Sequence, residues 1–134
     1  MKVIIDTNVL ISGIFFGGPP VKILKAWRLG KLKLVVSPEI LEEYFVVCER
    51  ISVRYPDIDI APILVLIARN SQVVESPPLA EQVSRDVDDD KFIACAIASN
   101  TRIIISGDND LLTVSGYESI QVVKPRDFVD GHIV

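Results

Sequence analysis

The 134 residues carry 14 Lys and Arg against 18 Asp and Glu, a formal net charge of −4, with 49% hydrophobic and 24% charged residues. That balance excludes a disordered or low-complexity polypeptide and fits one globular domain over residues 1–134, long enough to bury a core. The N-terminal apolar run is cut by Asp6 after three residues, and no stretch approaches the roughly 20 apolar residues of a bilayer span, so a cytoplasmic chain without signal peptide or membrane helix is expected.

In chain order, Val3–Asp6 reads as a short buried strand ending in a carboxylate. Val21–Leu29 is an amphipathic helix behind Pro19-Pro20, with Val21, Leu24 and Trp27 on one face. Leu34–Val36 is a second strand. Ser37 is an N-cap with Pro38 at the first helical position, opening a helix to about Arg54 whose buried side is marked by Leu41 and Phe45. A turn over Pro56–Asp59 leads to a helix at Ile60–Asn70. Val73–Val74 is a short strand ended by Pro77-Pro78. Asp90–Ser99 is an apolar, alanine-rich helix. Ile103–Ile105 is the fourth strand, followed by Ser106-Gly107-Asp108 and a short helix. Ile120–Val123 is the fifth strand, and a tail follows Pro125, with the one histidine, His132, expected to be exposed and mobile. Cys48 and Cys95 lie in apolar helical patterns without metal-ligand spacing and read as reduced core residues.

Strands alternating with helices predict a three-layer α/β/α domain, Rossmann-like, with a parallel sheet of about five strands. In such sheets the working site lies beyond the carboxyl ends of the strands, where strand order reverses. The acids gather there. Asp6 ends the first strand, Asp108 and Asp110 follow the fourth, Asp90 opens the helix leading into it, and Glu43 lies one turn into the helix after the second. Two unit charges about 4 Å apart repel by roughly 4 kcal/mol at an effective dielectric of 20. Convergent carboxylates therefore need a proton or a cation, and oxygen ligands suit Mg²⁺ or Mn²⁺, which can activate water against a phosphodiester.

The negative net charge argues weakly against nucleic acid, but the charges are segregated. Between Thr7 and Pro38 there is no acid, while Lys22, Lys25, Arg28, Lys31 and Lys33 fall in that window; Asp86, Asp88, Asp89 and Asp90 crowd together later. The basic window reads as an RNA-backbone contact or, equally well, as a solvated helix face.

Four segments together resemble PIN-domain ribonucleases. Ile4-Ile5-Asp6-Thr7-Asn8-Val9-Leu10 is similar to that family's opening motif, Ser37-Pro38-Glu39-Ile40-Leu41-Glu42-Glu43-Tyr44 to the segment bearing its helical glutamate, Asp89-Asp90-Lys91-Phe92-Ile93-Ala94-Cys95-Ala96 to its third acidic motif, and Ser106-Gly107-Asp108-Asn109-Asp110-Leu111-Leu112 to its fourth. The resemblance covers residues 3 to about 125. It implies metal-dependent endoribonuclease activity, as in VapC-type toxins paired with antitoxins, and often a homodimer. By position it implies Asp6, Glu43, Asp90 and Asp108 as the catalytic acids, holding the metal directly or through water, with Asp110 a rival to Asp108. Thr7, Asn8 and Ser106 would orient a carboxylate or a metal-bound water. Asp89 can substitute for Asp90, which is preferred because Phe92-Ile93-Ala94 fits the family's helix in that register.

Other classes fit less well. A phosphoacceptor receiver domain matches Lys124-Pro125 after the fifth strand but needs an aspartate at the end of the third, where Glu75-Ser76-Pro77 stands. A haloacid-dehalogenase-type phosphatase needs Asp-x-Asp after the first strand, and position 8 is asparagine. A catalytically silent PIN module that only binds RNA or a partner stays open. The isolated His132 disfavours a histidine acid–base ribonuclease.

Overall fold

The computed structural model describes residues 1–133. Strands β1 (Lys2–Ile5), β2 (Lys33–Val36), β3 (Gln72–Val73), β4 (Ile103–Ile105) and β5 (Gln121–Val123) form one parallel sheet in the order β3-β2-β1-β4-β5. The pairing registers are Lys2 with Lys33, Ile4 with Ile104, Val36 with Val73 and Ile105 with Val123. Helices cover both faces, which is why the strands are continuous apolar runs rather than alternating ones. Val3, Ile4, Ile5, Leu34, Val35, Val36, Ile104 and Ile105 are all fully buried. The architecture is the three-layer α/β/α arrangement expected from the alternation of elements.

The helices are α1 (Thr7–Ile11), α2 (Pro19–Arg28), α3 (Pro38–Ser52), α4 (Ala61–Asn70), α5 (Asp90–Ser99), α6 (Asn109–Leu112) and α7 (Pro125–His132). Ser37 caps α3 as expected, its hydroxyl accepting from the Ile40 amide at 3.2 Å, with Pro38 at the first position where no amide is needed. The buried stripe of α3 is Ile40, Tyr44 and Cys48, one residue off the expected Leu41 and Phe45, which are half-buried. In α2 the buried residues are Pro20, Ile23, Leu24, Ala26 and Trp27, and Val21 is left exposed. Helix α5 lies across β1, β2 and β4. Cys48 and Cys95 are free and buried, and burial pushes both thiols up to about 11, so they are unreactive core residues.

Two segments depart from the expectation. Thr7–Phe16 is helical throughout, α1 continuing into a π-helical turn over Ser12–Phe16, where the sequence pattern had suggested nothing regular. Gly17 and Gly18, at φ +119° and +79°, then let the chain turn by 95° into α2. The tail after Pro125 is helix α7; its Phe128 is fully buried, and the exposed ring of His132 stacks on Phe128 at 4.8 Å, so this end is packed down rather than loose. No single helix among the described residues is long and apolar enough to cross a membrane.

Gly13 sets how closely the π-helical turn approaches α2. A Cβ there would stand 2.5 Å from Leu24 Cδ1, 2.9 Å from its Cγ and 3.0 Å from the Pro20 carbonyl oxygen. Gly13→Ala is therefore expected to lower stability by about 1–3 kcal/mol, the usual cost of overpacking. Urea denaturation checks this, and an unchanged midpoint would show that the turn and α2 are not in fixed contact.

Candidate functional site

The strand order reverses at β1, between β1 and β4, so the loops leaving their carboxyl ends diverge and open a crevice. Asp6 stands at its floor. Its amide donates to the Ile105 carbonyl at 2.9 Å, tying the end of β1 to that of β4, and its own carbonyl accepts from the Val9 and Leu10 amides as α1 begins. The Ser106 hydroxyl donates to Asp6 Oδ2 at 2.7 Å and accepts from the Asp108 amide at 3.0 Å. One fully buried hydroxyl thus positions both aspartates. Asp108 Oδ1 accepts from the Asp110 amide at 3.1 Å and caps α6. Burial pushes the Asp6 carboxyl above its ordinary value; Ser106 pulls it back, and the charge of Asp108 pushes it up again.

Asp89 completes the inner group. It is 8% exposed, stands beside Asp108, and its Oδ2 is buried with no donor opposite it among the described residues. Burial first, then the contact with Asp108 and the charges of Asp108, Asp6 and Asp86, push its carboxyl up to about 7. Carboxylate oxygens of Asp86, Asp89 and Asp110 also lie within 4.8 Å of one another. Asp89 therefore joins an inner group of Asp6 and Asp108 to an outer group of Asp86 and Asp110.

Asp90 is engaged by backbone amides. Its two carboxylate oxygens accept from the Val83 and Ser84 amides at 3.0 and 2.7 Å, so its charge is satisfied by the preceding loop. The neighbouring Asp89 is the one of the pair that feels the charges of Asp108, Asp6 and Asp86. Glu43 faces the site with both oxygens engaged: Oε2 accepts from the Thr7 hydroxyl, and Oε1 pairs with Lys91 Nζ at 2.6 Å. Beneath it the fully buried Tyr44 hydroxyl donates to the Ile5 carbonyl, and burial holds this phenol neutral by pushing its pKa well above the ordinary value. Asn8 is exposed on the first turn of α1.

The basic window lies elsewhere. Lys33 opens β2 opposite Lys2, at the amino edge of the sheet, and Arg28 and Lys33 line a groove there with Met1; Lys22, Lys25 and Lys31 are exposed beside α7. The structure does not bring Arg28, Lys31 or Lys33 to the carboxylates. The cation at the site is Lys91, which sequence reasoning had not singled out, although its place directly after the acidic run was a usable signal. Asp86 was likewise unassigned; the three-residue helical turn Val87–Asp89 returns it to the side of Asp89.

Hard oxygen donors, no histidine or thiolate in the group, and a buried carboxylate oxygen without a donor together fit a divalent cation such as Mg²⁺ or Mn²⁺. Without one, Asp89 keeps its proton to about 7, whereas an unfolded aspartate loses it near pH 4. The native state then binds more protons, so this residue's contribution to stability is complete below about pH 4 and is lost as pH rises through about 7. In EDTA, the Tm of wild type should fall relative to Asp89→Asn between about pH 4 and 7. A constant difference across that range would mean that Asp89 ionises freely. Because a divalent cation competes with that proton, the rise in Tm on adding Mn²⁺ should grow over the same interval.

The PIN domain family pattern matches residues 2–110. Over 141 aligned positions, the chain is 34% identical to the uncharacterized protein MJ1680 of Methanocaldococcus jannaschii, covering 97% of this chain and 90% of that protein. With the sheet order and the carboxylates at its switch point, these similarities place the chain in the PIN domain family.

Proposed function

We propose that the carboxylate cluster holds Mg²⁺ or Mn²⁺ and that the protein is an endoribonuclease hydrolysing RNA phosphodiester bonds. The observation that carries this reading is Asp89, buried among Asp6, Asp108, Asp86 and Asp110 with a carboxylate oxygen that no donor satisfies. Five acids in one crevice repel one another, and a divalent cation with oxygen ligands offsets that repulsion. The family assignment supports a nuclease. A restraining antitoxin, a second copy of the chain and a cytoplasmic location belong to the same reading and rest on the family resemblance alone.

The division of labour follows from the contacts. Asp6, Asp89 and Asp108 would hold the cation, with Asp110 and Asp86 on its outer side. When bound, the cation would lower the pKa of a water and stabilise charge on the leaving oxygen of the phosphodiester. Ser106 keeps Asp6 and Asp108 in register. Thr7 and Lys91 hold Glu43 in place, where it could accept a proton from water once the pair with Lys91 loosens. Lys91 is then free to meet a phosphate oxygen. Asp90 anchors the loop at Val83 and Ser84 and so fixes the turn that delivers Asp89, a positioning role.

The test is manganese-dependent cleavage of a single-stranded RNA panel. Asp6→Asn and Asp89→Asn should reduce cleavage to background while the fold persists. Asp90→Asn should mainly lower stability, by about 1–3 kcal/mol, since the amide cannot accept from both backbone donors and one is left buried without a partner. If Asp89→Asn cleaved normally and Asp90→Asn were inactive at full stability, the cation would have to be assigned to Asp90.

A further inference from the structure

A cavity of about 330 Å³ opens beside the acid cluster, walled by Leu79, Val87 and Ala94 and bordered by Glu39, Gln82 and Lys91. Its volume falls at the lower end of the range for small-ligand pockets, roughly 300–1,000 Å³. Two features join it to the cluster. The turn Val87–Asp89 puts Val87, 61% exposed, at the cavity and Asp89 among the carboxylates; with consecutive Cα atoms about 3.8 Å apart, the two Cα atoms lie within about 7.6 Å. Lys91 borders the cavity while its amine reaches Glu43 at 2.6 Å. A ligand group in the cavity thus lies beside the turn that carries Asp89 and beside the lysine paired with Glu43.

Apart from Lys91 and the Ser76 hydroxyl, the polar groups at the rim present acceptors: the carboxylates of Glu39, Glu81 and Asp90, and Gln82. Gln82 Nε2 is committed to the Ser84 and Arg85 carbonyls at 2.9 and 3.1 Å, which leaves its Oε1 to serve a ligand as an acceptor. Glu39 is a carboxylate and accepts only. Apolar walls suit the face of an unstacked base, and single-stranded RNA is recognised through such splayed bases and their Watson–Crick edges. Guanine presents two adjacent donors on that edge, N1–H and the N2 amine. Adenine and cytosine present only the amine.

Resting on the ribonuclease reading, we propose that this cavity takes the unstacked base of the nucleotide next to the scissile phosphate of single-stranded RNA, with guanine the best fit. Glu39 and Gln82 accept from its edge, Leu79, Val87 and Ala94 contact its faces, and Lys91 meets the phosphate. The base pocket is then the determinant of cleavage position.

The experiment uses hexaribonucleotides carrying a single abasic site at each position in turn. Their binding to Asp6→Asn is followed by fluorescence anisotropy with Mn²⁺ present, and their cleavage by wild type is followed in parallel. One position should weaken binding and lower kcat/KM by about ten-fold, the scale of a lost base stack, and guanosine should be preferred there. Glu39→Gln should collapse the preference for guanosine over adenosine at that position. Uniform effects at all positions, or a preference that survives Glu39→Gln, would overturn the pocket while cleavage itself upheld the nuclease. A position-specific binding loss without cleavage by wild type in any metal would refute the nuclease and keep the pocket.

Discussion

Charge repulsion in a crevice with too few donors governs how this site is built. Asp6 is fixed by the sheet itself, because its amide belongs to the hydrogen bonding that joins the ends of β1 and β4. Asp108 is held to it through Ser106, and Asp89 is delivered into the same space by a short turn. No Lys or Arg pairs directly with these three; among the described residues the one ion pair, Lys91 with Glu43, neutralises a different acid. Burial and mutual repulsion raise the carboxyls of Asp6 and Asp89, so the metal-free fold bears a cost that a divalent cation would relieve. A buried carboxylate retained at such a cost is a reasonable mark of function.

The surrounding acids show what the same residue type does when backbone amides face it. Asp90, adjacent to Asp89 in the chain, accepts two backbone amides and stitches the loop at Val83 and Ser84 to the start of α5. Asp86 accepts from the Asp88 amide while also facing the cluster, and Asp108 caps α6. Neighbouring residues of the same chemistry thus divide between capping and the proposed cation site. The separation lies in the donors each finds: amides satisfy Asp90, and among the described residues no donor satisfies Asp89 Oδ2.

Much of this was legible before any coordinates. A run of β-branched residues stopped by Asp6, a Ser37-Pro38 helix start and an acid after the fourth strand are local signals, and each was found where the pattern put it. The choice between Asp89 and Asp90 was not local. It depends on residues six and seven positions upstream, whose amides come to Asp90 only once the loop has folded back. The place of the basic window is likewise set only by the fold, since Lys33 belongs to the start of β2 and so sits at the opposite edge of the sheet from the acids. Lys91 looked like one more charge in a charged run, and only the approach of α3 to α5 reveals its pairing with Glu43. Helix α7 was missed because its eight residues carry few apolar side chains, yet Phe128 among them is fully buried.

The most direct measurement is an anomalous difference map from crystals of the protein soaked in Mn²⁺, with data collected at the manganese edge. The account predicts a peak coordinated by Asp89 together with Asp6 and Asp108, or on its outer side with Asp86 and Asp110, and no manganese on Asp90. Crystals saturated with Mn²⁺ that showed no peak within coordinating distance of Asp89, or a peak held by Asp90 instead, would contradict it.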